Sequence, residues 1–67
     1  MNVVVNGTPR ELPDEATVAD VVRELDVDAA TGVAVARNGE VVLRARWAEQ
    51  QLSAGDHVEV LHAVQGG

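Results

Sequence analysis

The chain begins with alternation. From Asn2 to Val5, period-2 spacing puts Val3 and Val5 on one face and Val4 on the other, which predicts a strand with Val3 and Val5 toward a core. Asn6-Gly7 follows. Both central positions of a type I′ turn need positive φ, so this dipeptide is a strong hairpin signal. Thr8 to Leu12 then returns as a second strand, with Leu12 closing the core. Pro9 has no N–H to give to a ladder, so this strand is expected at a sheet edge, or Pro9 at its start. Pro13-Asp14-Glu15 breaks the pattern.

The period then changes. Val18, Val21, Val22 and Leu25 fall at i, i+3, i+4 and i+7, one apolar stripe, with Asp20, Arg23 and Glu24 on the polar side. Thr17 reads as the N-cap, and Asp20 three residues on is a weaker form of the usual capping-box Glu or Gln. The spacing predicts a helix over roughly 17–25. A helix this short needs tertiary packing, so it is expected across the sheet.

Residues 26–32 read as a loop, with Val27 dipping toward the core and Gly32 free to take positive φ. Val33 to Arg37 is a third strand, Asn38-Gly39 a second hairpin signal, and Glu40 to Leu43 a fourth strand. Ala34 and Ala36 alternate with Val33 and Val35, and two small side chains on one face point to an element packed closely there. Arg44 to Gln51 has no clear period and reads as one turn of helix, with Trp47 covering the end of the core. Ser53 to Asp56 is a turn. His57 to Val64 is the last strand, with Val58, Val60, His62 and Val64 on one side and His57, Glu59, Leu61 and Ala63 on the other. Gln65-Gly66-Gly67 leaves the sheet as a flexible tail. First and last strands are expected as parallel neighbours at the sheet centre. The fold class is therefore α+β, a mixed sheet of four to five strands with one helix across one face, forming a single domain over 1–67.

Composition narrows the function. At 67 residues there is no room for a deep active site. With no cysteine, thiol chemistry and disulfides are excluded, and His57 and His62 alone do not make a metal site. Eleven acidic residues against five arginines give a net charge of -6, which argues against nucleic acid as a partner. The charge also suits a basic partner surface. No apolar run approaches the roughly 18 residues of a membrane span, and no signal peptide is read at the start, so the expected location is cytoplasmic. The chain holds no lysine and cannot accept an isopeptide bond on its own side chains. What chemistry remains lies at Gly66-Gly67. Their thin backbone thread can enter a slot that any Cβ would block, and it ends in an α-carboxylate.

Several stretches together resemble the ubiquitin-like β-grasp family, and within it the thiamine-biosynthesis sulfur carriers. They are Met1 to Gly7, Thr17 to Val22, Val33 to Asn38, Arg44-Ala45-Arg46-Trp47-Ala48, Ala54 to Val60, and Ala63 to Gly67. The approach to the glycines, His62-Ala63-Val64-Gln65, lacks the proline of the molybdopterin-synthase carriers and the arginines of ubiquitin. The resemblance implies a carrier and not an enzyme. An adenylating, E1-like partner would join the Gly67 carboxylate to AMP, using its own ATP and Mg²⁺. A sulfur-donating protein would convert the adenylate to a thiocarboxylate, and thiazole synthase would consume that sulfur. Gln65 and Gly66 would form the tail, and this chain would bind no cofactor itself.

The face opposite the helix is the expected docking surface, with Val4, Leu61 and Ala63 exposed as its apolar centre and Glu59 at its rim. His62 is expected at the surface, Arg44 and Arg46 in solvated ion pairs, and Asp56 bonding nearby turn amides. Two other readings share the fold. One is a carrier for molybdopterin or cysteine synthesis, or a modifier conjugated to target lysines. The other is a β-grasp interaction module with an idle tail.

Overall fold

The computed structural model describes residues 1–25 and 32–62. Its elements are β1 (Asn2–Val5), β2 (Thr8–Glu11), α1 (Val18–Glu24), β3 (Val33–Arg37), β4 (Glu40–Val42), a 3-10 turn (Arg44–Arg46) and β5 (His57–His62). The five strands form one mixed sheet in the order β2-β1-β5-β3-β4. β1 and β5 pair in parallel at its centre, and the other neighbours are antiparallel.

Both hairpins turn as their sequences require. Asn6 and Gly7 take φ of 50° and 81°, and Asn38 and Gly39 take 50° and 85°, so all four residues adopt the left-handed region that a type I′ turn demands. Pro9 lies in β2, an edge strand, where its missing N–H breaks no ladder.

α1 lies on one face and buries Val18, Val21 and Val22. They join Val3, Val5, Leu12, Val35, Val58 and Val60 in one core, closed by Ala16, Trp47 and Leu52. Each fully buried valine contributes roughly 1.5–3 kcal/mol of transfer free energy. The capping box is complete: Asp20 N–H donates to Thr17 Oγ1 at 3.3 Å, and Thr17 N–H donates to Asp20 Oδ2 at 2.9 Å. The remaining orphan donors of the first turn are met by the segment after the 3-10 turn. Val18 N–H donates to the Gln50 carbonyl and Ala19 N–H to that of Trp47, both at 3.0 Å. A stretch with no period of its own thus takes its place from the helix it caps.

The structure corrects several expectations. The regular part of β2 ends at Glu11, and Leu12 prolongs its pairing: Leu12 N–H donates to the Met1 carbonyl (2.8 Å) and the Met1 amino group to the Leu12 carbonyl (2.6 Å), while the Leu12 side chain enters the core. β4 ends at Val42, because the Leu43 carbonyl accepts from Arg46 N–H and starts the 3-10 turn. The helix proper is Val18–Glu24, flanked by Thr17 and Leu25 as caps. Ala34 is exposed, and no described element covers the alanine face. Val27, and the last strand's expected extension through Ala63 and Val64, lie outside the described residues.

Candidate functional site

The register defines the sheet face turned away from α1. Pro9 is paired with Val4, and Val4 with His57. Ala34 is paired with Leu61 and Ala36 with Glu59, while Val41 lies beside Ala36. These residues share one side of the pleat, opposite buried Val3, Val5, Val35, Val58 and Val60. Leu61 is 67% exposed and Val41 72%. Together with Leu43 they are the large apolar side chains left exposed among the described residues.

The expected docking residues divide accordingly. Leu61 and Glu59 are exposed on this face, as expected. Val4 is half-buried, a correction to its expected exposure, because Pro9 and His57 flank it in the sheet. Ala63, Gln65, Gly66 and Gly67 lie outside the described residues. Reasoning from sequence missed Ala34, Ala36 and Val41 as members of this face. The signal was available, since alternation sets Ala34 and Ala36 opposite core-facing Val35.

The strand that leads to Gly67 is held by two asparagines. Asn6 donates its backbone N–H to the Val58 carbonyl at 2.9 Å. Its side-chain Oδ1 accepts from Val60 N–H at 2.8 Å, and its Nδ2 donates to the Val60 carbonyl at 3.3 Å. Asn38 does the same from the other flank, at the start of β5. Its backbone N–H donates to the His57 carbonyl at 2.7 Å, and its Oδ1 accepts from His57 N–H at 2.9 Å. Its Nδ2 donates to Asp56 Oδ1 at 3.0 Å.

Asp56 is the buried charge of the described structure. Arg37 Nε donates to its Oδ2 at 2.7 Å, and so does Ser53 N–H at 2.7 Å. Burial alone would raise its pKa. The Ser53 amide, the Arg37 guanidinium and the Asn38 amide outweigh that and hold it below the ordinary 3.8. The expected bonding of Asp56 to a turn amide is present, and the Arg37 pair adds to it.

The other singled-out side chains have structural roles. Trp47 is buried, and its Nε1 donates to the Val42 carbonyl at 2.9 Å. Arg46 makes the expected solvated pair, with Glu49 at 3.6 Å. Arg44 instead lies over the Trp47 ring, 5.6 Å from its centroid. His62 is exposed at the end of β5. An open depression of about 300 Å³ at the β4 edge is lined by Arg37, Glu40, Val41, Leu43, Arg46 and Gln50. Among the described residues no group of three or more His, Asp or Glu side chains is placed to hold a metal ion. No helix among them is long and apolar enough to cross a membrane.

Comparison with known proteins extends this picture across the whole chain. The model of the ThiS family matches residues 3–67. A curated protein of Paramagnetospirillum magneticum named Thiazole synthase is 36% identical over 67 residues, covering 100% of this chain and 20% of that protein. The chain thus spans about a fifth of the length of the curated relative it matches. The crystal structure of the thiamine biosynthesis protein ThiS from Geobacter metallireducens is similar at a TM-score of 0.80 and 35% identity, covering 100% of both chains. A solution structure of a thiamine biosynthesis protein from the same organism also matches at 0.80 and 35%, covering 100% of this chain and 88% of that one. The shared fold is the ubiquitin-like β-grasp.

Proposed function

The chain belongs to the ThiS family, the sulfur carriers of thiamine biosynthesis, and we propose that its reactive group is the carboxylate of Gly67. The family match through residue 67 is the observation that carries this reading. The geometry supports it. β5 is the central strand, it runs to His62, and it carries Leu61 on the open face of the sheet.

The chemistry is a two-stage exchange carried out by partners. A carboxylate resists attack by nucleophiles, so it must first be activated. A Gly67 carboxylate oxygen attacks the α-phosphorus of ATP in an adenylating, E1-like enzyme. Pyrophosphate leaves, and an acyl adenylate forms. A persulfide on a donor protein then attacks the acyl carbon, AMP departs with the bridging oxygen, and a thiol attacks the donor-side sulfur of the resulting acyl disulfide, forming a disulfide with the donor and freeing the tail sulfur. The product is a thiocarboxylate, and its sulfur passes to thiazole synthase. The name of the Paramagnetospirillum relative supports that acceptor. ATP and Mg²⁺ belong to the activating partner.

This chain contributes a substrate group and a surface. Gln65 and Gly66 give a narrow approach with no Cβ at the last two positions. Leu61 forms the apolar centre of the docking face, extended by Ala34 and Val41, with Glu59 at the rim. One domain over 1–67, acting in the cytoplasm, completes the reading.

Intact mass tests it. The chain incubated with the adenylating enzyme, ATP and a sulfur source is expected to gain about 16 Da, one oxygen exchanged for sulfur. No gain, together with unimpaired thiamine synthesis after deletion of Gly67, would overturn the carrier reading.

A further inference from the structure

β1 is one residue too short for its task. It pairs with β5 only at Val4↔His57 and Val5↔Val58, while β3 follows β5 as far as His62. The flank of β5 that β1 leaves is met by the side chain of Asn6. Its amide carries one acceptor and one donor group, as a peptide unit does. Both are spent on Val60, at 2.8 Å to the N–H and 3.3 Å to the carbonyl, across 54 positions of sequence. Only one orientation of the amide satisfies both bonds.

The position restricts which residue can do this. Asn6 has φ of 50° in the first central place of the turn. Glycine adopts that conformation and offers no side chain. Most other residues adopt it poorly, and asparagine alone combines tolerance of it with a side-chain amide at this reach.

We propose that Asn6 is a positioning residue for activation of the tail. Its side chain replaces the missing next residue of β1 and holds β5 in register at Val60, and so fixes the strand end from which the chain continues in sequence to Gly67. The inference rests on the sulfur-carrier reading. It adds a demand on geometry: the Gly67 carboxylate must reach the α-phosphorus within a fraction of an ångström while the domain sits on its docking face. Docking is made by the sheet face and alignment by the anchor of β5. Loss of Asn6 should therefore act on turnover and not on affinity.

Two variants test it. Asn6→Gly keeps the turn and removes the amide, and Asn6→Asp keeps an acceptor for Val60 N–H and loses the donor. Folding is followed by Trp47 fluorescence, Val60 by amide hydrogen exchange, and adenylation by pyrophosphate release with the activating enzyme. Folded Asn6→Gly is expected to exchange the Val60 amide about tenfold faster and to lose about tenfold in kcat with KM within about twofold of wild type. Asn6→Asp is expected to fall between Asn6→Gly and wild type, with kcat about threefold below wild type. Should Asn6→Gly not fold, Asn6→Asp decides: reduced kcat at unchanged KM supports the role, and wild-type kcat overturns it. A loss carried in KM, or a folded Asn6→Gly as active as wild type, also overturns it. A wild-type chain that releases no pyrophosphate overturns the carrier reading and this inference together.

Discussion

The Asp56 carboxylate receives the Arg37 Nε hydrogen at 2.7 Å, and in doing so ties the end of β3 to the turn that starts β5. Asp56 is 6% exposed, so its charge is sustained by the groups that face it: Arg37, Asn38 and the Ser53 amide. Its depressed pKa fixes a direction for stability. The contribution is fully present above the unfolded value of 3.8 and is lost as pH falls through the lower folded value. Wild type is expected to lose stability below that point, and Asp56→Asn to show a shallower acid limb, measured by urea unfolding across pH 2 to 6. At neutral pH, Asp56→Ala should cost roughly 2–3 kcal/mol. That is less than a fully buried pair, because the Arg37 side chain is 29% exposed and can turn to water.

The helix start offers a separable measurement. Thr17 completes both halves of its capping box with Asp20. Thr17→Ala is expected to cost about 1 kcal/mol, and Thr17→Ser much less, read from urea midpoints at unchanged slope. Equal loss in both variants would mean that the Thr17 methyl, and not its hydroxyl, supplies the stability.

Leu61 separates folding from docking. At 67% exposure, Leu61→Glu should change stability by no more than about 0.5 kcal/mol. It is expected to weaken docking to the adenylating enzyme, raising KM by about tenfold, because a charge enters the apolar centre of an interface. Ala34→Arg, directly across the sheet from Leu61, should act in the same sense. A folded Leu61→Glu carrier adenylated at the wild-type KM would place the interface elsewhere.

The tail is tested by length. Appending one alanine after Gly67 adds a Cβ and moves the carboxylate by about 3.5 Å, one residue of extended chain. The expected result is unaltered thermal unfolding together with loss of pyrophosphate release. Deleting Gly67 should give the same pair of results.

Local chemistry was legible in the sequence, and long-range side-chain chemistry was not. Asn6-Gly7 and Asn38-Gly39 announce their turns because few other dipeptides accept two positive φ angles in succession. Val18, Val21 and Val22 announce a helix through spacing alone, and Pro9 announces an edge. The tie from Asn6 to Val60 has no such signature, because nothing near Asn6 reports a partner 54 residues away. Arg37 and Asp56 are likewise brought together only by the β3–β5 register. Ala16 and Leu52 escaped notice as core residues because both sit in aperiodic segments, joined by the bond from Leu52 N–H to the Ala16 carbonyl at 3.0 Å. On the open face, Leu61 was found by alternation. Ala34 and Ala36 carry no signal of exposure, because small side chains suit a close neighbour and open water equally.

The central place of β5 also has a mechanical meaning. A strand at a sheet's rim peels away one hydrogen bond at a time when its end is pulled. β5 has β1 alongside in parallel and β3 antiparallel, so tension applied at its far end loads both ladders in shear. Many bonds must then yield together, and unfolding under force is governed by that barrier. A machine gripping the last glycines could tug hard on them without unravelling the protein that bears them.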